Sequence, residues 1–260
     1  MPRIDALKIK SRLTTDFIGK NIIVYDETDS TNTQAKLNHT EADGTVFIAE
    51  SQRAGRGSRG REWVSKSGVG IWMSVLLKPD IPMEKVSQIT LMAGLAVKRA
   101  IGNIAMIKWP NDVVSGTKKI CGILTEMSVT GETINGVVCG IGINVNDEQF
   151  GDDISHRATS LFIETGKKTV RNELVADVLN EFEEIYKTFC EKGITSFLDE
   201  YRSSCITLGK EINVIYDNKT VTGFATDIAD DGSLIVRTHN DELIRINSGE
   251  VSVRGIYGYV

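Results

Sequence analysis

The sequence changes character near residue 207, and this change restricts the chain to two units of different structural class. Before that point, segments with helical spacing of apolar residues alternate with strand-like segments, as in mixed α/β proteins. After it, short strand-like segments follow one another with only brief polar turns between them, a pattern typical of a small β-barrel. We therefore predict a mixed-sheet α/β (α+β) domain over 1–206 and a small β-barrel domain over 207–260, with the boundary between residues 205 and 209.

The apolar spacing predicts the individual elements of both units. In the first unit the predicted strands are 45–50, 69–77, 105–109, 119–127 and 134–145, with a hairpin turn at 129–132. The predicted helices are 84–101, 170–190 and a shorter one at 194–203. In the second unit the predicted strands are 211–216, 220–228, 233–238, 242–246 and 251–255, with turns at 217–218, 229–232, 239–241 and 247–250.

Composition excludes several classes of protein. The chain has 260 residues, of which 41% are hydrophobic and 25% charged, and its net charge is −5. These values are typical of folded globular domains and disfavour a strongly basic nucleic-acid binder. No apolar run reaches the ~18–20 residues that span a bilayer, and the first residues lack the apolar core of a signal peptide. We expect a cytoplasmic protein with no membrane partner.

The cysteines and histidines predict neither disulfide bonds nor a metal site. The four cysteines lack C-x-x-C spacing, and the three histidines are far apart in the sequence. Structural zinc sites need closely spaced ligands of these two types.

The densest chemical signal is the segment 53–61, which holds four arginines and three glycines within nine residues. Arginine offers a fixed fork of donors for phosphate or carboxylate, and glycine lets the backbone approach a ligand closely. Gly55, Gly57 and Gly60 match the spacing of a dinucleotide-binding turn, but polar residues and a strand follow where that turn requires an apolar helix. The pattern favours binding of a small polyanionic ligand by the loop itself.

Other polar motifs stand at the ends of predicted strands. Lys108 precedes Trp109-Pro110-Asn111-Asp112, and a lysine at a strand end can stabilise charge on a reacting carboxylate or phosphate. Asn111 can hydrogen-bond a ligand, and Asp112 could help to hold a metal. Glycines within strands, at Gly122 and in 140–142, indicate close approach by a ligand or another backbone.

Five segments, taken together and in this order, resemble the signature segments of the biotin protein ligases. They are DSTNTQAK, SQRAGRGSRGREW, KWPNDV, KKICGILTE and GIGINVN. The segment ATSL fits the same pattern, and the resemblance extends from about residue 20 to the C-terminus. It implies an α/β catalytic domain followed by a small Src-homology-3-like β-barrel. It also implies a two-step reaction, in which biotin and Mg²⁺-ATP form biotinyl-5′-AMP and the biotinyl group is then transferred to a lysine of a biotin carboxyl carrier protein of a biotin-dependent carboxylase.

The resemblance also implies roles for individual residues. Catalysis would fall to Lys108, bridging the biotin carboxylate and the α-phosphate, together with Arg56. The implied biotin contacts are Ser30, Thr31, Asn32, Gln52, Arg56, Gly57, Ser58, Lys108 and Gly122. The implied ATP contacts are Arg56, Arg59, Arg61, Trp63, Lys108, Asn111 and Asn144, and Asp112 is a candidate metal ligand.

Two departures from the family pattern carry expectations of their own. The family loop usually reads G-R-G-R, whereas this chain has Ser58 at the last position, which removes one charged contact to phosphate or carboxylate. Ser30 stands too early for the winged helix-turn-helix that precedes some family members, so we expect a ligase without DNA binding. An exposed edge strand could support a homodimer.

Two alternatives remain open from the sequence. A lipoate–protein ligase shares the fold and the adenylate chemistry, although its histidine-containing signature is not visible. A non-enzymatic adapter could use its C-terminal barrel to bind a peptide. An adapter would release no pyrophosphate from ATP.

Overall fold

The computed structural model describes residues 2–130, 133–216, 219–247 and 252–255. The predicted turn at 217–218 lies outside the described residues, as do parts of the predicted turns 129–132 and 247–250 and the first residue of the strand 251–255.

A seven-stranded mixed sheet forms the centre of the first unit. Its strands are β1 (Ile22–Thr28), β2 (Val46–Gln52), β3 (Gly70–Leu77), β4 (Met106–Lys108), β5 (Asp112–Ser115), β6 (Lys118–Thr130) and β7 (Thr133–Asn144). They pair in the order β1-β2-β3-β7-β6-β5-β4. Only β1 and β2 run parallel, and the other neighbours are antiparallel. The mixed α/β class predicted for this unit is therefore confirmed.

Six α-helices accompany the sheet among the described residues. They are α1 (Ala6–Lys10), α2 (Thr31–Leu37), α3 (Gln88–Ile101), α4 (Leu161–Thr165), α5 (Arg171–Lys192) and α6 (Leu198–Ser204). Helix α3 begins later than predicted, because residues 83–85 form a separate 3₁₀ turn after Pro82. Helix α5 ends at Gly193, whose φ of 75° is readily adopted by glycine. In the part of the chain that the structure describes, no helix has the length and apolarity needed to cross a membrane.

Helices cover both faces of the sheet, which explains its long apolar runs. Phe47 and Leu76 pack with Ala35 of α2 on one face. Their strand neighbours Val46 and Val75 belong to the main core, which includes α3 and α5. Because successive residues of a strand point to opposite faces, a sheet covered on both sides needs apolar residues at every position. Every residue of β3 is buried accordingly.

The second unit is a five-stranded antiparallel sheet. Its strands are β8 (Glu211–Tyr216), β9 (Lys219–Ile228), β10 (Leu234–Thr238), β11 (Leu243–Ile246) and β12 (Ser252–Gly255). They pair in the order β11-β10-β9-β8-β12. Among the described residues β11 and β12 are the edges and no register joins them, so a closed barrel is not formed by these pairs. The predicted boundary at 206/207 stays a prediction.

The two sheets share one hydrophobic core and are joined by buried polar contacts. Trp109 Nε1 donates to the carbonyl of Gly232 at 3.1 Å, and Gln88 Nε2 donates to the carbonyl of Asp231 at 3.0 Å. The buried apolar residues of β8, β9 and β10 belong to the same core cluster as those of α3 and α5. The C-terminal sheet is thus packed against the helical side of the first unit.

A buried ion pair fastens the N-terminal segment to the first unit. Arg171 Nη1 donates to Glu50 Oε2 at 2.9 Å, and Arg171 Nη2 donates to the carbonyl of Pro2 at 3.0 Å. The backbone N–H of Ile4 donates to Glu50 Oε1 at 2.5 Å. Burial raises the pKa of Glu50, but hydrogen bonds from Arg171 and Ile4 outweigh it and leave that pKa lowered. The pair connects α5, β2 and the segment before α1.

Candidate active site

Polar residues at the start of α2 form one end of the candidate site. The backbone N–H of Thr31 donates to Gln52 Oε1 at 2.8 Å. The hydroxyl of Ser74 lies 2.6 Å from Asn32 Oδ1 and donates to it. Gly140 of β7 lies directly beneath the amide, since a Cβ placed there would be 2.1 Å from Asn32 Oδ1. The Asn32 side chain is therefore held in one orientation above the sheet.

Paired glycines form a flat floor beside this polar group. Gly122 of β6 and Gly142 of β7 are opposite each other in the sheet. A Cβ on Gly122 would lie 2.7 Å from Trp63 Cζ3, and one on Gly142 would lie 2.6 Å from Trp63 Nε1. The group that rests on the glycines is thus the indole of Trp63. Its Nε1 is buried and has no hydrogen-bond partner among the described residues.

The Arg/Gly segment folds back on itself over this floor. The N–H of Gly57 donates to the carbonyl of Arg61 at 2.7 Å, and the N–H of Trp63 donates to the carbonyl of Gly55 at 2.9 Å. Arg61 Nη2 donates to Ser58 Oγ at 3.0 Å. Arg59 has a φ of 59°, a left-handed conformation that is unusual for a residue with a side chain. The cation in contact with position 58 is therefore Arg61.

Glu126 of β6 ties the loop to the polar end of the site. Its carboxylate lies 2.6 Å from Lys36 Nζ and 3.2 Å from Arg56 Nη2, and it accepts from Asn32 Nδ2 at 2.9 Å. Burial raises the pKa of Glu126, but the hydrogen bonds from Lys36 and Asn32 and the charge of Arg56 leave that pKa lowered. One carboxylate thus positions two groups that the sequence predicts to bind ligand, Asn32 and Arg56.

Lys119 enters the site from the start of β6. Its Nζ lies 2.5 Å from Asp112 Oδ1 and 5.0 Å from the centre of the Trp63 ring. A Cβ on Gly122 would lie 2.9 Å from the same Nζ. Asp112 is therefore engaged by an ammonium group. The described residues contain no cluster of three or more metal-ligating side chains, and these contacts do not support Asp112 as a resident metal ligand.

A β-bulge explains why Lys119 faces the site. Val113 is opposite Cys121, but the next residue, Val114, is opposite Lys119, so Ile120 is an extra residue on β6. In a regular strand, residues three apart face opposite sides. The bulge reverses this alternation and places Lys119 on the same face as Gly122. Lys119 stands in the motif KKICGIL, which the sequence had singled out. The alternation of side chains along a regular strand, however, predicts that Lys119 and Gly122 face opposite sides.

Two adjoining cavities result from this arrangement. The inner cavity is lined by Ser30, Thr31, Asn32, Gln52, Arg56, Gly57, Ser58, Trp63, Trp72, Met73, Asn111, Lys119, Gly122, Ile123, Leu124, Gly140, Ile141 and Gly142. The outer cavity is lined by Gly57, Ser58, Arg61, Glu62, Trp63, Val64, Lys66, Lys119, Asn144, Asp147, Phe150, Gly151, Asp153, Ile154, Arg157 and Ala158. Four lining residues are common to both, namely Gly57, Ser58, Trp63 and Lys119.

Most of the predicted site residues line one of these cavities. Those that line neither are Arg59, Lys108 and Asp112. Lys108 is buried, with 5% of its surface exposed, at the end of β4. Lys108 is opposite Asp112 in the sheet, and Asp112 is opposite Gly122, so Lys108 stands in the same row as predicted site residues without lining either cavity. The residue that sequence reasoning missed is Lys119.

Known proteins resemble this chain over nearly its whole length. The family described as Biotin/lipoate A/B protein ligase matches residues 24–144, and the Biotin protein ligase C terminal domain matches residues 207–254. The bifunctional ligase/repressor BirA of Bacillus subtilis is 35% identical over 96% of this chain and 79% of its own length. The biotin--[acetyl-CoA-carboxylase] ligase of Mycobacterium tuberculosis is 29% identical over 96% of each chain.

A solved structure has the same architecture. The biotin protein ligase of Aquifex aeolicus in complex with biotin and ATP superimposes with a TM-score of 0.82 and 34% sequence identity. The match covers 91% of this chain and 99% of that one. The apo form of the same Aquifex protein gives a TM-score of 0.78.

Proposed function

Since the chain belongs to the biotin/lipoate A/B protein ligase family, we propose that it activates biotin as biotinyl-5′-AMP and transfers the biotinyl group to a lysine of a carboxyl carrier domain. The observation that carries this proposal is the shared lining of two adjoining cavities. A ligase of this kind must bring two anionic substrates together, and the residues common to both cavities include a cation, Lys119.

The inner cavity suits biotin. Its polar end presents hydroxyl and amide groups of Ser30, Thr31, Asn32 and Gln52, which can hydrogen-bond a small neutral ring. The glycine floor suits a flat apolar group, for which the Trp63 indole would make room. Arg56 lies at the rim, where a carboxylate would meet a guanidinium.

The outer cavity suits ATP. Arg61 and Lys119 supply positive charge near the junction, while Asn144 offers an amide. Asn144 Nδ2 donates to the carbonyl of Thr159 at 3.0 Å, which orients the amide. The ATP phosphates would hold Mg²⁺ as their counterion. Asp112 is not proposed to hold it, because its carboxylate is paired with Lys119.

The chemistry follows from this arrangement. In the first step an oxygen of the biotin carboxylate attacks the α-phosphorus of ATP, and the bond to pyrophosphate breaks. Lys119 would neutralise the charge shared by the carboxylate and the α-phosphate, a form of stabilisation that needs no movement during reaction. In the second step the amine of the acceptor lysine attacks the acyl carbon, loses a proton and releases AMP.

Lys119 is proposed for this role in place of Lys108. Lys119 lines both cavities, whereas Lys108 lines neither. Catalysis by an ammonium group requires its nitrogen at the point where charge develops. Lys108 is buried at the end of β4, opposite Asp112, and does not reach the junction of the two cavities as Lys119 does.

One assay tests the proposed function. The protein is incubated with Mg²⁺-ATP and either biotin or lipoate, and pyrophosphate release is followed. We expect release with biotin and little with lipoate, since the family described as Biotin protein ligase C terminal domain matches residues 207–254. Release with lipoate alone would favour the lipoate alternative, and no release with either would favour the adapter.

The acceptor is proposed to be the carrier protein of a biotin-dependent carboxylase, as the names of two relatives indicate. A homodimer, the lack of a DNA-binding function and a cytoplasmic location stay predictions. The net charge of −5 supports the lack of a DNA-binding function, since non-specific DNA binding depends on positive charge.

Replacing Gly140 with alanine is expected to weaken biotin binding by about 10-fold or more. The new Cβ would lie 2.1 Å from Asn32 Oδ1, so the Asn32 amide must move and lose its bonds to Ser74 and Glu126. Isothermal titration calorimetry with biotin measures the change. The matched control is Gly136→Ala on the same strand, where the nearest atom is the end of the Leu76 side chain at 3.3 Å. Equal affinities for the two variants would contradict the role of Asn32.

Replacing Ser58 with arginine is expected to slow release of biotinyl-5′-AMP by about 2–30-fold. A guanidinium makes charge-assisted bonds to phosphate, whereas the serine hydroxyl makes neutral ones. Arg61 already contacts Ser58, so it provides part of the missing charge. A pre-formed radiolabelled complex, chased with unlabelled biotin and ATP, reports the off-rate. An unchanged off-rate in Ser58→Arg would mean that Arg61 already supplies the full contact. Faster release of biotinyl-5′-AMP from Arg61→Ala would then confirm that role of Arg61.

A further inference from the structure

Asp147 is a buried carboxylate in the outer cavity that the proposed reaction does not use. Only 7% of its surface is exposed, and its Oδ2 has no hydrogen-bond partner in the part of the chain that the structure describes. Its backbone is fixed, because Ser160 Oγ donates to its carbonyl at 2.6 Å. Asp147 lines the outer cavity together with Phe150 and Ile154.

A carboxylate in this position is costly to the free protein. Burial raises the pKa of Asp147, and the charge of Lys66 and a hydrogen bond from the residue's own backbone N–H offset this only in part. Buried polar atoms are nearly always hydrogen-bonded, so an unpartnered carboxylate oxygen in a ligand cavity indicates that the ligand supplies the donor. The partner must therefore carry an N–H or O–H group at this place.

The charges of the cavity decide which end of ATP meets Asp147. Lys66 and Arg157 also line this cavity, but the α-phosphate must meet biotin at the junction, where Lys119 lies. Because a carboxylate repels phosphate, the phosphates belong at that end of the cavity, near Lys119 and Arg61. The neutral base then lies toward Asp147, where Phe150 and Ile154 suit its flat apolar faces. Adenine carries an amino group at position 6, which donates hydrogen bonds, whereas guanine has a carbonyl oxygen there, which only accepts them.

We propose that Asp147 accepts a hydrogen bond from the 6-amino group of adenine and thereby selects ATP over GTP. The inference rests on the proposed function in one respect, namely that the outer cavity holds the nucleotide. Guanine would place an acceptor against an acceptor, which leaves the carboxylate unpaired. Sites that hydrogen-bond a substrate group in this way reject analogues that lack it.

The test compares nucleotides that differ in one group. The kcat/KM for biotin-dependent pyrophosphate release is measured with ATP, purine riboside triphosphate, GTP and 2′-deoxy-ATP. Purine riboside triphosphate lacks the 6-amino group and adds nothing in its place. We expect the protein to prefer ATP over this analogue by about 10–100-fold and Asp147→Ala to reduce that preference to a few-fold. Asp147→Asn, which keeps the shape and one acceptor oxygen, should give an intermediate value.

The matched control is Asp153→Ala, which removes an exposed carboxylate lining the same cavity and should leave the preference unchanged. Calorimetric titration with biotin shows that each variant retains a folded inner cavity. An equal preference in Asp147→Ala and the unmodified protein overturns the proposal. The proposal is also overturned if Asp147→Ala lowers kcat/KM for ATP but not for 2′-deoxy-ATP, since the carboxylate would then contact the ribose.

Equilibrium binding separates this inference from the proposed function. If no pyrophosphate forms with biotin and ATP, the proposed function fails, and the selectivity is read from the dissociation constants of the same nucleotides. A preference for ATP that depends on Asp147 would then uphold the inference without catalysis. Equal dissociation constants for ATP and purine riboside triphosphate would overturn it.

Discussion

Replacing Lys119 with alanine is expected to lower the rate of biotin-dependent pyrophosphate release by about 10²–10³-fold, with biotin affinity changed far less. Lys119 lines both cavities at their junction and contacts Asp112 and the Trp63 ring, so its charge is held where the two anions would meet. A contact that strengthens as charge develops mainly affects kcat. Single-turnover measurement of pyrophosphate release, with calorimetric titration of biotin, separates the two effects.

The comparison variant is Lys108→Ala, which removes a lysine eleven positions earlier that lines neither cavity. It is expected to lower stability, because Lys108 is buried, while the folded fraction keeps its activity. Lys119→Arg is a further test, since a guanidinium keeps the charge but not the position of a compact ammonium. If Lys108→Ala removes activity from folded protein and Lys119→Ala does not, the original sequence prediction is right and the role proposed for Lys119 is wrong.

Replacing Glu50 with glutamine is expected to reduce the free energy of unfolding by about 3–5 kcal/mol. The change leaves the Arg171 guanidinium buried without its counter-charge, at a place where it also holds the carbonyls of Gly70 and Pro2. For a protein of this size the loss corresponds to a fall in Tm of about 5–20 °C. Urea unfolding followed by circular dichroism measures it directly.

The control for this prediction is an exposed ion pair in the same region. Arg3 and Asp26 lie 2.9 Å apart, and both side chains are 77% exposed. Ion pairs in water contribute little, because solvent screens the charges, so Asp26→Asn should leave the unfolding midpoint nearly unchanged. A similar loss in Asp26→Asn and Glu50→Gln would show that the effect of Glu50 does not depend on burial.

The sequence by itself determined the class of the first unit and indicated where the candidate site lies. The long apolar run at 69–77 predicted the strand that becomes β3. The short strands after residue 207 predicted a small β-barrel, and the structure forms an antiparallel sheet from them whose described pairs do not close. Local spacing is enough for these conclusions, because strand and helix periods are set by the backbone. The arginines and glycines of 53–61 also predicted the loop that we propose binds ligand, since their chemistry does not depend on distant residues.

Tertiary structure decided which side chains meet in that site. A single extra residue, Ile120, turns Lys119 toward the junction of the two cavities, while Lys108, which ends a regular strand, lies outside them. Glu50 and Arg171 form an ion pair although they are 121 positions apart in the chain. The burial of Asp147 depends on how residues 144–158 fold around the outer cavity. Residue types and their spacing reveal which chemistry a chain carries. The direction of a side chain and its burial depend on strand register and on contacts between distant segments, and these form only when the chain is packed.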